Sequence, residues 1–384
     1  MKKLILSVAK LGLQLIYLLF RPLAVQNKVV MLSRESDTPP VDFVLLEEEL
    51  NRVSPETKVL FFCRKMTKRT NPFTYCIFLL KSLYHIATAS VAVTDTYSIP
   101  LCVLKHKKEL KILQVWHAVG AVKQFSYQCL DRPGGHSSEM AEHMCMHRNY
   151  DYIFCTSQAT REVYAKAFDT PKEKILPLGM PRVDYIQRPD PDIRERYLAQ
   201  CPQLRGKTLA LYLPTFRDGL DAGVEGLVNA AKPYEHEVAL LVKPHPLSQF
   251  NLPEENRTAK GWSTYDLMKV CDVVITDYSA SSLEASLLHK PVYFYLFDKD
   301  EYVRTQGLNI DPEQELPLAC FRQADQLMRS IALGGYDQGA LEDFRSCYIE
   351  TAEQNNTENI VHFMTQFLPG GKVPAGEGLE TESV

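Results

Sequence analysis

The 384-residue sequence has no Gly-x-x-x-x-Gly-Lys-Ser/Thr loop, no Gly-x-Ser-x-Gly elbow and no Gly-x-Gly-x-x-Gly fingerprint. These absences remove the P-loop, nucleophile-elbow and standard dinucleotide-binding readings. None of its ten cysteines forms a Cys-x-x-Cys pair. Cys63, Cys76, Cys155 and Cys271 fall in apolar runs and read as buried reduced thiols, which places the chain in a reducing compartment. Basic clusters at 64–69 and 105–111 lack interleaved aromatic residues, so nucleic acid is not an expected partner. There is no internal repeat. Only one long hydrophobic run is present, residues 4–20, interrupted by Lys10 and Gln14.

That run is a little shorter than the roughly 20 apolar residues that span a bilayer. No small-x-small cleavage site follows it, which disfavours a removable signal. Residues 1–22 are therefore expected to form a helix lying in the membrane interface, with a true span or a core helix as the alternatives. Charge is distributed unevenly about a formal net of −4. Residues 1–204 carry 28 Lys/Arg against 20 Asp/Glu, about +8, and the remainder 15 against 27, about −12. A basic first half suits an anionic membrane or substrate, although two ordinary solvated surfaces would give the same totals.

Apolar β-branched runs alternate with helical patterns along the chain, which predicts α/β layers with parallel sheets. Strands are expected at 29–32, 59–63, 91–93, 112–116 and 152–156, with helices at 73–89 and 158–168. A polar, proline-bearing stretch at 187–207 reads as an interdomain connection. The second half predicts strands at 209–213, 238–242, 273–276 and 292–295. Helices are expected near 224–232, 265–271, from 281, at 324–332 and through 339–367. The expected domains are 23–200 and 201–368, followed by a Gly/Pro/Glu-rich disordered tail at 369–384.

Four strand ends carry chemistry-bearing residues. Lys243-Pro244-His245-Pro246 holds a histidine where two prolines stop a strand, at the edge where ligands of open α/β sheets gather; a turn cap is the alternative. Thr276-Asp277-Tyr278-Ser279-Ala280-Ser281-Ser282-Leu283-Glu284 opens a helix. Its Ser281-x-x-Glu284 spacing is a capping box, and such a helix start can also hold phosphate. Leu213-Pro214-Thr215-Phe216-Arg217-Asp218 offers Arg217 to phosphate oxygens or to a surface ion pair. Val115-Trp116-His117-Ala118-Val119-Gly120-Ala121-Val122-Lys123 delivers His117 to a strand end, followed by small residues. An unperturbed imidazole titrates near 6.5, which suits a general base, and a satisfied core histidine is the alternative. His143 and His147, with Glu139 a turn earlier, have the i, i+4 spacing of metal ligands, but no third-ligand motif accompanies them.

Together these pieces resemble the CDP-glycerol glycerophosphotransferase family of wall teichoic acid and capsule synthesis. The matching segments include Trp116-His117, Gly120-Ala121-x-Lys123, Gly179-Met180-Pro181-Arg182-x-Asp184, Pro214-Thr215-x-Arg217-Asp218, Lys243-Pro244-His245-Pro246 and Thr276-Asp277-Tyr278-Ser279, in the family's order. The resemblance implies a GT-B architecture, two Rossmann-like α/β domains facing a central cleft. It implies transfer of a polyol phosphate, glycerol phosphate first, from a CDP-polyol to a hydroxyl of a lipid-linked glycan or teichoic acid, releasing CMP. CDP-glycerol or CDP-ribitol is the implied donor, and a peripheral, monotopic enzyme on the cytoplasmic membrane face is the implied setting.

In that frame His117 and His245 are the catalytic residues. Arg217, Ser279, Ser281 and Ser282 hold the donor phosphates, and Thr215, Lys243, Asp277 and Glu284 the nucleotide or polyol. Gly120, Lys123 and Arg182 lie on the acceptor side. No tightly bound cofactor or metal is expected. Ala118, where the family usually has Gly, and Ala280, where it often has a second Ser, depart from the pattern and put the exact donor or acceptor in doubt more than the reaction class. The alternatives are a GT-B glycosyltransferase using a nucleotide sugar and a silent polymer-binding scaffold, the latter favoured only by Ala118.

Overall fold

The computed structural model describes residues 2–65, 71–133, 135–215, 217, 221–244 and 251–370. The chain forms two compact units, each assembled from separated segments. The first contains the residues up to His117, Glu142–Phe154 and the chain from Asn355 onward. The second contains Ala118–Ala141 and Cys155–Gln354. The chain therefore passes from one unit to the other four times, where a single boundary near residue 200 was expected.

In the first unit, β1 (Lys28–Ser33), β2 (Lys58–Cys63), β3 (Val91–Thr94), β4 (Lys111–Gln114) and β5 (Tyr152–Phe154) lie in the order β2-β1-β3-β4-β5. All of these pairs are parallel. β1 and β3 are buried along their whole length, as central strands of a parallel sheet covered on both faces must be. After β1 the chain first adds β2 on one side and then β3 on the other. That reversal puts the ends of β1 and β3 together at a topological switch point, where Ser33 Oγ donates to Asp95 Oδ2 at 2.8 Å.

The second unit holds the two-residue strand β6 (Ile175–Leu176) and a sheet of β7 (Thr208–Tyr212), β8 (Val238–Val242), β9 (Val273–Thr276), β10 (Val292–Tyr295) and β11 (Cys320–Phe321). Its order is β11-β10-β9-β7-β8, again parallel. The same reversal occurs between β7 and β9. Two such Rossmann-like α/β units are a GT-B type fold.

Several expectations are corrected. The stretch 187–207 is not a connection: helix Ile193–Gln200 and a short 3-10 turn at Pro202–Leu204 run through it. Ile193, Tyr197, Leu198 and Leu204 enter the second unit's core, while Arg194, Glu195 and Arg196 gave the segment its polar look. The expected helix at 339–367 is two, Gln338–Tyr348 and Asn356–Thr365. All ten cysteines are free thiols. Cys155 and Cys271 are buried and pushed up to about 12 by desolvation. Cys63 is only half-buried, and Cys76 is exposed on helix Pro72–Ala87. The expected tail lies, from 371 on, outside the described residues.

Candidate active site

The first unit holds a histidine with a fixed tautomer. β4 stops at Gln114 because the next residues turn: Trp116 takes a left-handed backbone, φ 53°, a conformation costly for a bulky side chain. The Gln114 side chain holds the turn, accepting from the Trp116 N–H at 2.8 Å and donating to the Thr96 carbonyl at 3.2 Å. The Trp116 ring lies 4.1 Å from the His117 ring. His117 Nδ1 is 2.9 Å from the Asp95 carbonyl. A carbonyl only accepts, so Nδ1 carries the proton and the lone pair of the neutral ring is on Nε2.

His143 and His147 do not form the i, i+4 pair their spacing suggested. The helix Ser138–His143 ends at the first, and His147 is left-handed at φ 55°. His147 is buried, with Nδ1 3.0 Å from the Tyr150 hydroxyl. Among the described residues no group of three or more His, Cys, Asp or Glu is placed to hold a metal ion.

The second unit has a candidate site of its own at the switch point between β7 and β9. Asp277, just past β9, is fully buried. Its carboxylate accepts from the Thr215 N–H and hydroxyl, from the Tyr278 N–H at 2.7 Å and from Arg217 Nη1 at 2.7 Å. Arg217 also meets Asp298, with Nη2 3.2 Å from Oδ1 and Nε 2.7 Å from Oδ2. The rings of Tyr278, Phe297 and Tyr302 surround the guanidinium at 5.3, 5.4 and 5.1 Å. Burial works against the charge on Arg217, but Asp277 and Asp298 outweigh it and hold the group more basic than usual. Desolvation pushes the Asp298 carboxyl up, with Arg217 pulling against it.

Lys123 approaches the same cluster on a two-residue antiparallel bridge to Leu308. Desolvation pushes its ammonium down, the Asp277 charge opposes this, and Arg217 adds to it. Beside it, Gly120 is packed so closely on helix Ser281–Ser286 that an added Cβ would stand 2.5 Å from Leu283 Cδ1.

That helix starts differently from the expected capping box. Its N-cap is Ala280, without a side-chain cap. The hydroxyls instead bond one another: Ser279 Oγ lies 3.0 Å from Ser281 Oγ, and Ser282 Oγ donates to the Ser279 carbonyl at 3.0 Å. Ser279 and Ser281 are half-buried and Ser282 is fully buried. Glu284 is buried too, accepting from the Tyr265 hydroxyl at 3.2 Å and lying 3.7 Å from Arg182 Nη1.

A family model for CDP-glycerol:poly(glycerophosphate) glycerophosphotransferase matches residues 15–366. The chain belongs to this family. It is 31% identical over 360 residues to a teichoic acid ribitol-phosphate primase of Bacillus spizizenii, covering 90% of this chain and 92% of the relative. It is 25% identical to a teichoic acid glycerol-phosphate primase of Bacillus subtilis, covering 76% and 77%. The solved wall teichoic acid polymerase TagF, in a histidine variant soaked with CDPG, superimposes with TM-score 0.73 at 16% identity, over 95% of this chain and 97% of that one. As a member of the family, the protein transfers a polyol phosphate from a CDP-polyol.

The transferase brings several of the residues named from sequence together and separates others. Thr215, Arg217, Asp277 and Lys123 share one cluster, with Ser279, Ser281 and Ser282 following Asp277 in sequence. Thr215, Arg217 and Asp277 are bonded to one another. Lys243 donates to the Trp262 carbonyl at 2.6 Å. Gly120, Lys123 and Arg182, assigned to the acceptor side, all lie in the second unit. His245 lies outside the described residues. Sequence reasoning missed Asp298, the aromatic box and the Asp95 carbonyl. Asp298 had a signal: it follows the buried strand β10 much as Asp277 follows β9.

Proposed function

We propose that His117 is the general base of the transfer. Its Nε2 takes the proton of the acceptor hydroxyl as that oxygen bonds to the polyol-bearing phosphorus of the CDP-polyol. The bond from this phosphorus to the CMP oxygen breaks, and CMP leaves with the electron pair. The observation that carries the reading is the Asp95 carbonyl on Nδ1, which fixes the tautomer a base needs. Phosphoryl transfer needs positioning and charge neutralisation more than covalent help. Lys123 and the hydroxyls of Ser279 and Ser281 supply both on the donor side, and the family resemblance assigns His245 to the same task. Arg217 acts through Asp277 and Thr215, as a positioning residue.

The setting we propose is the cytoplasmic membrane face, with helix Lys2–Phe20 lying flat. This helix is long and apolar enough to cross a bilayer, but its polar residues are engaged by the first unit. Ser7 Oγ lies 3.5 Å from His143 Nε2, and Lys10 Nζ 3.5 Å from Cys145 Sγ. Gln14 Oε1 accepts from the Lys105 N–H at 2.9 Å, and the Tyr17 hydroxyl is 3.1 Å from His106 Nδ1. Residues 7, 10, 14 and 17 are one helical stripe. Leu4, Ile5, Val8, Leu11, Leu15 and Leu19 face outward, each more than half exposed.

The test is CMP release from CDP-glycerol and CDP-ribitol with and without a lipid-linked acceptor. Wild type releases CMP in an acceptor-dependent way, and His117→Ala loses roughly 10²–10⁴-fold in rate while its thermal transition is unchanged. A His117→Ala enzyme with wild-type turnover would sink the assignment.

A further inference from the structure

The chain that leaves helix Lys2–Phe20 borders a hollow of about 490 Å³ lined by Arg21–Val25 on one side and Lys107, Lys108 and Glu109 on the other. Three cations and one carboxylate line it. Lys107 Nζ donates to the Leu23 carbonyl, which ties the two walls together. Arg21 and Lys108 are exposed, and among the described residues neither has a carboxylate partner. Desolvation pushes the Lys107 ammonium down, the Glu109 charge opposes this, and the Arg21 charge adds to it.

The apolar surface beside this hollow is wider than one helix. Helix Pro72–Ala87 packs along the first, with the Phe20 and Tyr84 rings edge-on at 5.6 Å. It adds exposed Phe73, Ile77, Leu80 and Tyr84 to the outward face. Leu18, Leu19 and Leu23, also exposed, lead directly to Arg21. A surface that sinks its leucines into acyl chains holds the hollow at the depth of the lipid phosphates. A single apolar anchor gives weak, reversible binding, and a basic patch beside it is the usual second signal.

We infer that the Arg21–Lys107–Lys108 hollow is a binding site for the phosphate of an anionic phospholipid headgroup. The inference rests on the flat-lying reading of the first helix. Charge complementarity selects the occupant: the hollow has a two-charge excess of cations, and the exposed apolar face beside it favours an anion that is itself carried at a lipid surface. Each basic residue contributes on the order of fivefold to partitioning onto an anionic surface.

The experiment is co-sedimentation of the full chain with phosphatidylcholine vesicles, with and without phosphatidylglycerol, for wild type, Arg21→Gln/Lys108→Gln and Glu109→Gln. Wild type prefers the anionic vesicles. The double variant loses that preference by on the order of 20-fold but binds neutral vesicles and melts as wild type does. Glu109→Gln strengthens anionic binding. A double variant that keeps its preference overturns the site. Displacement from anionic vesicles by inorganic phosphate at constant ionic strength also overturns it, assigning the hollow to soluble phosphate. Failure of wild type to bind either vesicle overturns the flat-lying reading itself.

Discussion

Arg217 carries a charge that scarcely reaches solvent, and it does so because Asp277, Asp298 and three aromatic rings were placed around it. The side chain is 9% exposed and Asp277 is 0% exposed. Removing one partner of such a pair leaves a desolvated ion. Asp277→Ala is therefore expected to destabilise the protein by about 3 kcal/mol, read from urea denaturation. Replacing the pair together, as Arg217→Met with Asp277→Leu, should recover a large part of that loss while abolishing turnover. Equal losses in the single and double variants would mean that Arg217 is held by Asp298 alone. From the sequence, Arg217 reads as a phosphate ligand, because a strand-end arginine followed by Asp218 gives no sign of carboxylates 60 and 81 residues away.

Elements were legible where burial alone decides them. β8, β9 and β10 begin and end where the apolar runs at 238–242, 273–276 and 292–295 do, because a strand covered on both faces has no polar position to blur the pattern. Elements that lean on distant partners were not legible. Ser281-x-x-Glu284 has capping-box spacing, but Glu284 turns to Arg182 and Tyr265, about a hundred and about twenty residues upstream. The segment 187–207 has a helix whose exposed face outvotes its buried one. The strand ends at the switch points were legible as places for a site, since ligands of open α/β sheets gather there, whereas the buried polar bonds behind them were not. Gly120 belongs to this scale as the contact between a strand-end loop and helix Ser281–Ser286. Gly120→Ala is expected to cost about 1–3 kcal/mol by overpacking. Adding Leu283→Ala should bring the double variant's loss at least about 1 kcal/mol below the sum of the singles. Additive losses would show that Leu283 already has room to move.

At the scale of the whole molecule the first helix is turned inside out relative to an ordinary amphipathic surface helix. Its polar stripe faces protein and its apolar stripe faces outward. Leu11 and Leu15 make none of the helix's polar contacts and are 60% and 56% exposed. Leu11→Asp/Leu15→Asp should abolish vesicle binding whatever the lipid charge, yet shift folding stability by no more than about 0.5 kcal/mol. A large drop in melting temperature would instead assign these leucines to a protein contact.

The first unit is closed by helix Asn356–Thr365. Asn356–Thr365 lies against Val41–Val53, Phe363 meets Tyr152 at 4.9 Å and Phe154 at 5.8 Å, and Ile360, Val361 and Met364 are buried. During synthesis the exposed leucines of helix Lys2–Phe20 leave the ribosome well before the brace that completes their unit. The whole of the second unit is translated in between. A nascent chain thus carries an exposed apolar face on an unfinished support for more than three hundred residues, and in the flat-lying reading proposed above the bilayer is the partner that shelters it until helix Asn356–Thr365 arrives.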